Sequence, residues 1–328
     1  MEYRHREQER MKVDLPVIRP FEPIQVQELP TGSHWIGQVK WDGVRLLTYI
    51  DGGQIRLWNR NGRERTQQYP ELLQLREYAH ANSCVLDGEV VAMVDGRPSF
   101  YELMRRDRSQ TPKAIQAASR DVPVLYMVFD MLFLDGDWLV ERNLEERQTL
   151  LRRVLEPAHM YRMVDNEADL GALFEATKQL RLEGIVVKDL RKPYLIGGKD
   201  NRWQKLKHIR NAVLAVGGVT LRDDQPNALI VGLYDERQLL HCVGHVGTGR
   251  LPQTEWKQLL AELTYMAESP FVEIPNDLRR GAARWAAPEL TVKVSFLEWT
   301  PDATLRQPVL IARSDVPPFE CTMAKADM

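Results

Sequence analysis

Strand-length apolar runs that end at Asp-Gly turns dominate the first half of this chain. VRLLTYI (44–50) runs into Asp51-Gly52-Gly53 and is answered by QIRLW (54–58). VLDGEVVAMV (85–94) ends at Asp95-Gly96, and VLYMVFDMLFL (124–134) ends at Asp135-Gly136. Asp-Gly supplies the left-handed backbone that tight antiparallel connections need, so these runs commit the chain to antiparallel sheets. Helical patterns interrupt them. Residues 70–79 carry leucines at helical spacing behind Pro70, Asn143 stands three before Glu146 as in a capping box, and 167–181 place Leu170, Leu173, Phe174 and Leu180 on one face. Past residue 210 the runs shorten to AVLAVGGVT, ALIVGLY, LLHCVGHVG and ELTVKVSFLEW, with a helical pattern over 253–267 between the third and fourth. Short, closely spaced strands of this kind predict a small β-barrel.

The expected architecture is α+β. A proline-rich extended arm (1–30) precedes a domain of antiparallel sheets and helices (31–209), a barrel domain (210–316) and a loose tail (317–328). A length of 328 residues suits two domains. No apolar run reaches the roughly 18 residues of a membrane span, and the charged start MEYRHREQERMK lacks a secretory core, so a cytoplasmic location is expected. Cys84, Cys242 and Cys321 are scattered, as in a reduced protein without a disulfide framework. The formal net charge is -2, from 44 basic and 46 acidic residues, which by itself does not suggest nucleic-acid binding. A DNA enzyme with this balance must gather its cations on one face, and RWQKLKHIR (202–210) is the candidate segment.

The chemistry centres on Lys40-Trp41-Asp42-Gly43-Val44-Arg45, a lysine at a bend between two strands. Alone, such a motif recurs by chance as a surface lysine beside a turn. It is followed in order by Arg60-Asn61-Gly62, Asp87-Gly88-Glu89, Phe129-Asp130, Glu183-Gly184-Ile185-Val186-Val187-Lys188 and Trp203-Gln204-Lys205-Leu206-Lys207. This ordered series resembles the covalent nucleotidyltransferases: ATP-dependent DNA ligases, RNA ligases and mRNA capping enzymes. Within them it is most similar to the ligase domain of bacterial end-joining DNA ligases, over residues 35–315, with GHVGTG (244–249) in the barrel adding to the likeness.

The resemblance implies a nucleotidyltransferase domain followed by an OB-fold, with ATP as AMP donor and Mg2+ as the metal, Mn2+ being an alternative. Lys40 would be the nucleophile. A lysine amine ordinarily titrates near 10.4, so neighbouring cations (Lys188, Lys205, Lys207) would favour its reactive neutral form. The implied nucleotide contacts are Gln38, Val39, Lys40, Arg45, Arg60, Glu89, Phe129, Lys188, Lys205, Lys207, Arg306 and Arg313. The implied metal set is Glu183, Glu89 and Asp42. Phe129 would stack on the base, although alone it reads as a core phenylalanine. Lys205 and Lys207 would share a strand face towards phosphate, although alone they read as a wet edge strand.

Two positions depart from the family pattern. Val316 stands where a lysine is usual, which bears on the lysine-adenylylation step. Gln38 stands where a glutamate is usual, which adds a donor beside the base. His241, Cys242 and His245 fall short of the four ligands of structural zinc. The expected activity is sealing of 5′-phosphate/3′-hydroxyl breaks in duplex DNA through lysyl-AMP and AMP-DNA. The protein is expected to act as a monomer near the bacterial nucleoid, with simple nicks as substrate or with help from a Ku-like end-binding partner. Rival expectations are an RNA ligase or capping-type nucleotidyltransferase, and a DNA-break-binding protein with weak catalysis.

Overall fold

A computed structural model describes residues 15–94, 96–274, 278 and 283–326. The charged start of the arm, Asp95 of the Asp95-Gly96 turn and the last two residues of the tail lie outside the described residues. The chain divides into two compact units after Lys207.

The first unit is built on two sheets. One has strands β1 (Glu22–Gln25) and β2 (Trp35–Val39) at its edges. The other contains β3 (Val44–Asp51), β4 (Gln54–Asn59), β5 (Ser83–Val94) and β6 (Val124–Leu134) in the order β4-β3-β5-β6. Strands β7 (Gly184–Asp189) and β8 (Lys199–Lys207) complete the first sheet in the order β1-β8-β7-β2, with β1 parallel to β8 and the rest antiparallel. Strand alternation divides the β3 side chains. Leu46 and Ile50 enter a core with Leu72, Leu75, Leu86, Val90 and Leu151. Leu47 and Tyr49 enter a second core with Val85, Phe129, Phe133 and Trp203, where the two sheets meet.

Among the described residues five α-helices accompany the sheets: α1 (Phe100–Asp107), α2 (Pro112–Asp121), α3 (Leu144–Val154), α4 (Leu170–Gln179) and, in the second unit, α5 (Gln253–Ala261). Asn143 caps α3 as expected: its Oδ1 accepts from Glu146 N at 2.9 Å, and its Nδ2 returns a bond to Glu146 Oε1. Helix α4 lays Leu170, Leu173 and Phe174 over Ile185 and Val187 on the outer face of the first sheet.

Residues 70–78 are helical as the leucine spacing predicts, in the 3-10 form, with Leu72 and Leu75 buried three apart on one face. Several expectations need correction. Leu180 is not on the apolar face of α4: the helix stops at Gln179, Arg181 turns left-handed and Leu180 is 63% exposed. The described part of the arm is not separate, since Ile18 and Phe21 are buried in the first unit and β1 joins its sheet.

The second unit carries β9 (Arg210–Arg222), β10 (Gln225–Tyr234), β11 (Leu240–Val246), β12 (Ala283–Ala286), β13 (Thr291–Phe296) and β14 (Val309–Ser314). The long β9 pairs with β10, β12 and β13, and β13 passes on to β14. Helix α5 ends at Ala261, short of the expected 267, because Tyr265–Met266 is drawn into pairing with β12. The described tail is not loose. Cys321 and Ala326 are buried, Tyr234 N donates to Cys321 O at 2.8 Å, and Trp299 Nε1 donates to Ala326 O.

Candidate active site

Gly43 and Gly184 fix the bend that presents Lys40. A Cβ on Gly43 would stand 2.0 Å from Val90 O, and one on Gly184 would stand 2.1 Å from Leu206 O, so both motif glycines are required by close backbone approach. Gly184 also has a φ of 138°. Its carbonyl accepts from Lys40 N at 2.9 Å, which fastens the end of β2 to the start of β7.

The Lys40 amine forms an ion pair with Glu183, and Lys207 Nζ lies 2.7 Å from the other Glu183 oxygen. Burial alone would raise the Glu183 carboxyl, but Lys40 and Lys207 outweigh it and hold it below its ordinary value. Such a group stays ionised, so it serves as an anion that holds cations rather than as a base. Lys205 lies on the same strand face as Lys207. Its amine is lowered first by burial and then by the repulsion of Lys207, Lys40 and Lys199.

Register assigns the remaining groups. Gln38 pairs with Val186, and Val186 pairs with Lys205; one row along, Ile36, Lys188 and Trp203 align in the same way. This face looks onto β3, β5 and β6 of the other sheet, where Arg45 pairs with Glu89. Arg45 binds Asp87 through two bonds of 2.5 and 2.7 Å, and Asp87 also accepts from Tyr194 Oη at 2.8 Å. Burial would lower the Arg45 guanidinium, but Asp87 reverses that and raises it. Glu89 is half-buried. Desolvation pushes its carboxyl up to about 7, with Asp42 and Asp87 adding to the shift against Arg45 and Lys40.

Lys188 is the most constrained cation. It is 2% exposed, its amine has no hydrogen-bond partner, and it lies 4.0 Å from the ring centres of both Phe129 and Trp203. Desolvation pushes it down to about 7, helped by Arg45 and Arg147 and opposed by Asp130 and Asp87. Arg45 also sits 4.6 Å from the Phe129 centre. Phe129 is therefore the wall of a cation cage, and stacking on a base requires Arg45 or Lys188 to be displaced.

Not every expected contact converges. Val39 alternates away from Gln38, on the side where α4 packs against Gly37. Arg60 is exposed in the turn after β4; Asn59 pairs with Leu46, which sets Arg60 beside the strand position of Arg45. Arg306 and Arg313 belong to the second unit, where they pair with Glu298 at 2.6 Å and Glu262 at 2.5 Å. Val316 packs against the barrel core, and its carbonyl accepts from Thr291 Oγ1 at 2.7 Å. Asp42, Glu89 and Glu183 are not gathered as a three-carboxylate cluster, and no such His/Cys/Asp/Glu group occurs among the described residues.

Sequence reasoning missed the buried supports. Arg147 and Asp130 form a fully buried two-bond pair at 2.8 and 2.7 Å. Gln38, Asn166 and Gln148 form a line of amides, with Gln38 Nε2 donating to Asn166 at 2.8 Å. Asp130 belongs to the Phe129-Asp130 motif, but nothing local in the sequence announces Arg147 as its partner.

Comparison with known proteins agrees with this geometry. Residues 22–207 match the ATP dependent DNA ligase domain, and 222–316 match the ATP dependent DNA ligase C terminal region. The chain is 32% identical over 284 residues to the multifunctional non-homologous end joining DNA repair protein LigD of Mycobacterium tuberculosis, covering 84% of this chain and 35% of that protein. It thus spans about a third of the length of that relative. DNA ligase C2 of Mycolicibacterium smegmatis is 28% identical, with 95% of this chain and 99% of that one covered. A solved structure of mycobacterial DNA ligase D complexed with ATP and MES superimposes with a TM-score of 0.52 at 28% identity, covering 93% of this chain and 98% of that one. With a nucleotidyltransferase unit around Lys40, an OB-fold unit later in the chain and both family regions matched in order, the chain belongs to the ATP-dependent DNA ligases.

Proposed function

We propose that this chain seals 5′-phosphate/3′-hydroxyl breaks in duplex DNA, with Lys40 as the carrier of AMP. The observation that carries this reading is the Lys40 amine held on Glu183 within a patch shared by Lys205 and Lys207. The Lys40 nitrogen attacks the α-phosphorus of ATP, a nitrogen–phosphorus bond forms, and the bond to pyrophosphate breaks. The 5′-phosphate of the break then takes the AMP from the nitrogen, and the 3′-hydroxyl displaces AMP as the phosphodiester forms. Each step is a displacement at phosphorus, for which the protein supplies position and charge.

Lys205 and Lys207 hold phosphate oxygens, Arg45 and Glu89 face the ribose, Gln38 faces the base, which meets Phe129 only once Arg45 or Lys188 is displaced, and Lys188 adds charge beneath them. Asp42 orients the amine or, were a metal bound, would hold one of its waters. The donor chemistry fits Mg2+. Glu183 is a persistent anion and Glu89 a carboxyl raised by desolvation; they are not gathered into one cluster, but Mg2+ keeps several waters and would need only one or two such oxygens. Bound there with the nucleotide, such a cation would neutralise phosphate charge.

The end-joining role of the LigD relative supports a Ku-like end-binding partner and a place at the bacterial nucleoid. No helix among the described residues is long and apolar enough to cross a membrane. The deciding experiment incubates the chain with α-labelled ATP and Mg2+. Label should survive denaturation in wild type and vanish in Lys40→Ala; equal labelling of both removes Lys40 from the mechanism. Rapid sealing of broken ends at physiological salt without any partner would refute the partner requirement.

A further inference from the structure

Gln38, Asn166 and Gln148 form a relay whose polarity is set at one end. Gln148 Nε2 donates to the backbone carbonyl of Phe129 at 3.3 Å, and a carbonyl oxygen can only accept. Gln148 must therefore turn its Oε1 to Asn166, whose Nδ2 donates to it at 2.7 Å. That leaves Asn166 Oδ1 facing Gln38, where it accepts from Nε2 at 2.8 Å. The Gln38 amide has then spent its donor side on the relay and turns its Oε1 the other way.

Reversal is costly at every link. Flipping Gln38 alone sets two acceptors face to face, and flipping all three amides sets Gln148 Oε1 against Phe129 O. Gln38 and Gln148 are 2% and 3% exposed and Asn166 is half-buried, so water reaches the two glutamine ends of the relay poorly. Gln38 stands two residues before Lys40, in register with Val186 and Lys205, on the face that carries the site. A glutamate there could not donate into this relay.

We propose that Asn166 and Gln148 are positioning residues for purine selection: they lock Gln38 with its acceptor towards the nucleotide. The site then takes a 6-aminopurine, whose exocyclic amine donates, and rejects a 6-oxopurine, which would set carbonyl against carbonyl. The proposal rests on the assignment of this pocket as the nucleotide site.

The test compares covalent adduct formation with α-labelled ATP and α-labelled GTP, each with Mg2+, in the full chain. Asn166→Leu and Gln148→Met free the Gln38 amide to rotate, so the ATP:GTP ratio of rates should fall by about tenfold, the worth of roughly one hydrogen bond. Asn166→Asp still accepts from Gln38 Nε2, so its ratio should stay within about threefold of wild type. A general loss of activity slows both nucleotides together and so cannot mimic the expected fall in the ratio. A wild-type ratio in both Asn166→Leu and Gln148→Met overturns the proposal, as does an Asn166→Asp chain as unselective as Asn166→Leu. The rise in melting temperature with ATP and with GTP gives the same comparison without chemistry. If wild type takes no label, the AMP-transfer reading fails; if ATP still protects wild type better than GTP and Asn166→Leu loses that preference, the relay stands.

Discussion

Replacing Lys188 with methionine should stabilise the first unit at neutral pH, and the gain should shrink as the solution becomes basic. The wild-type amine is buried against Phe129 and Trp203 without a hydrogen-bond partner, and burial lowers it from 10.5 to about 7. Between those pH values the unfolded chain holds a proton that the folded chain gives up. Stability therefore climbs as pH rises through this window. Relative to its fully deprotonated limit, wild type forgoes about 4 kcal/mol at pH 7 and recovers about 2 kcal/mol of it by pH 9. Methionine has similar length, suits contact with aromatic rings and cannot titrate, so its chain lacks this slope. Urea unfolding of both proteins at pH 7 and pH 9, followed on the first unit's transition, measures the difference directly. An advantage of Lys188→Met that is the same at both pH values would refute the burial of an unpaired amine. The same variant should lose adduct formation with labelled ATP, since its contribution to the phosphate field is gone.

Two further outcomes follow from the buried supports. Asp130→Ala leaves the Arg147 guanidinium buried without its carboxylate and should cost about 3–5 kcal/mol in denaturant unfolding; replacing both residues by apolar ones should recover much of that loss. Phe21→Ala opens a cavity beside Tyr194 and Trp203, whose ring centres lie 6.1 and 5.2 Å away, and should cost about 3–5 kcal/mol by the same measurement. A loss below about 1 kcal/mol would mean that the segment before β1 is a dispensable arm.

The legible parts of the chain were those specified within a few residues. Asp51-Gly52-Gly53 joins β3 to β4, Asn143 starts α3, and the bend after Lys40 is fixed by Gly43. Features decided by partners distant in sequence were not legible. Leucines at 72 and 75 satisfy either helix type until the core they meet selects one. Tyr265 and Met266 read as helix because their pairing strand comes twenty residues later. Of the candidate site, Lys40, Glu183 and Lys207 meet as the motif order implies, whereas Phe129, a core phenylalanine by its own strand and a base-stacking ring only by the family resemblance, is buried and faced by Arg45 and Lys188. The amide relay left no sequence trace, since glutamine and asparagine are ordinary surface residues until a carbonyl such as that of Phe129 dictates which end they present.

Strand β1 runs parallel to β8 and covers the edge of the strand that carries Lys205 and Lys207. Just before it, Phe21 N donates to Tyr194 Oη at 2.8 Å, and Tyr194 in turn braces Asp87 beneath Arg45. The segment that leads into β1 is thereby tied to the backbone that carries Lys205 and Lys207. Residues 21–25 are thus fastened twice, by strand pairing to the backbone of Lys205 and by the Phe21 side chain sunk in the core beside Tyr194 and Trp203, so a displacement of this segment cannot leave that strand unmoved.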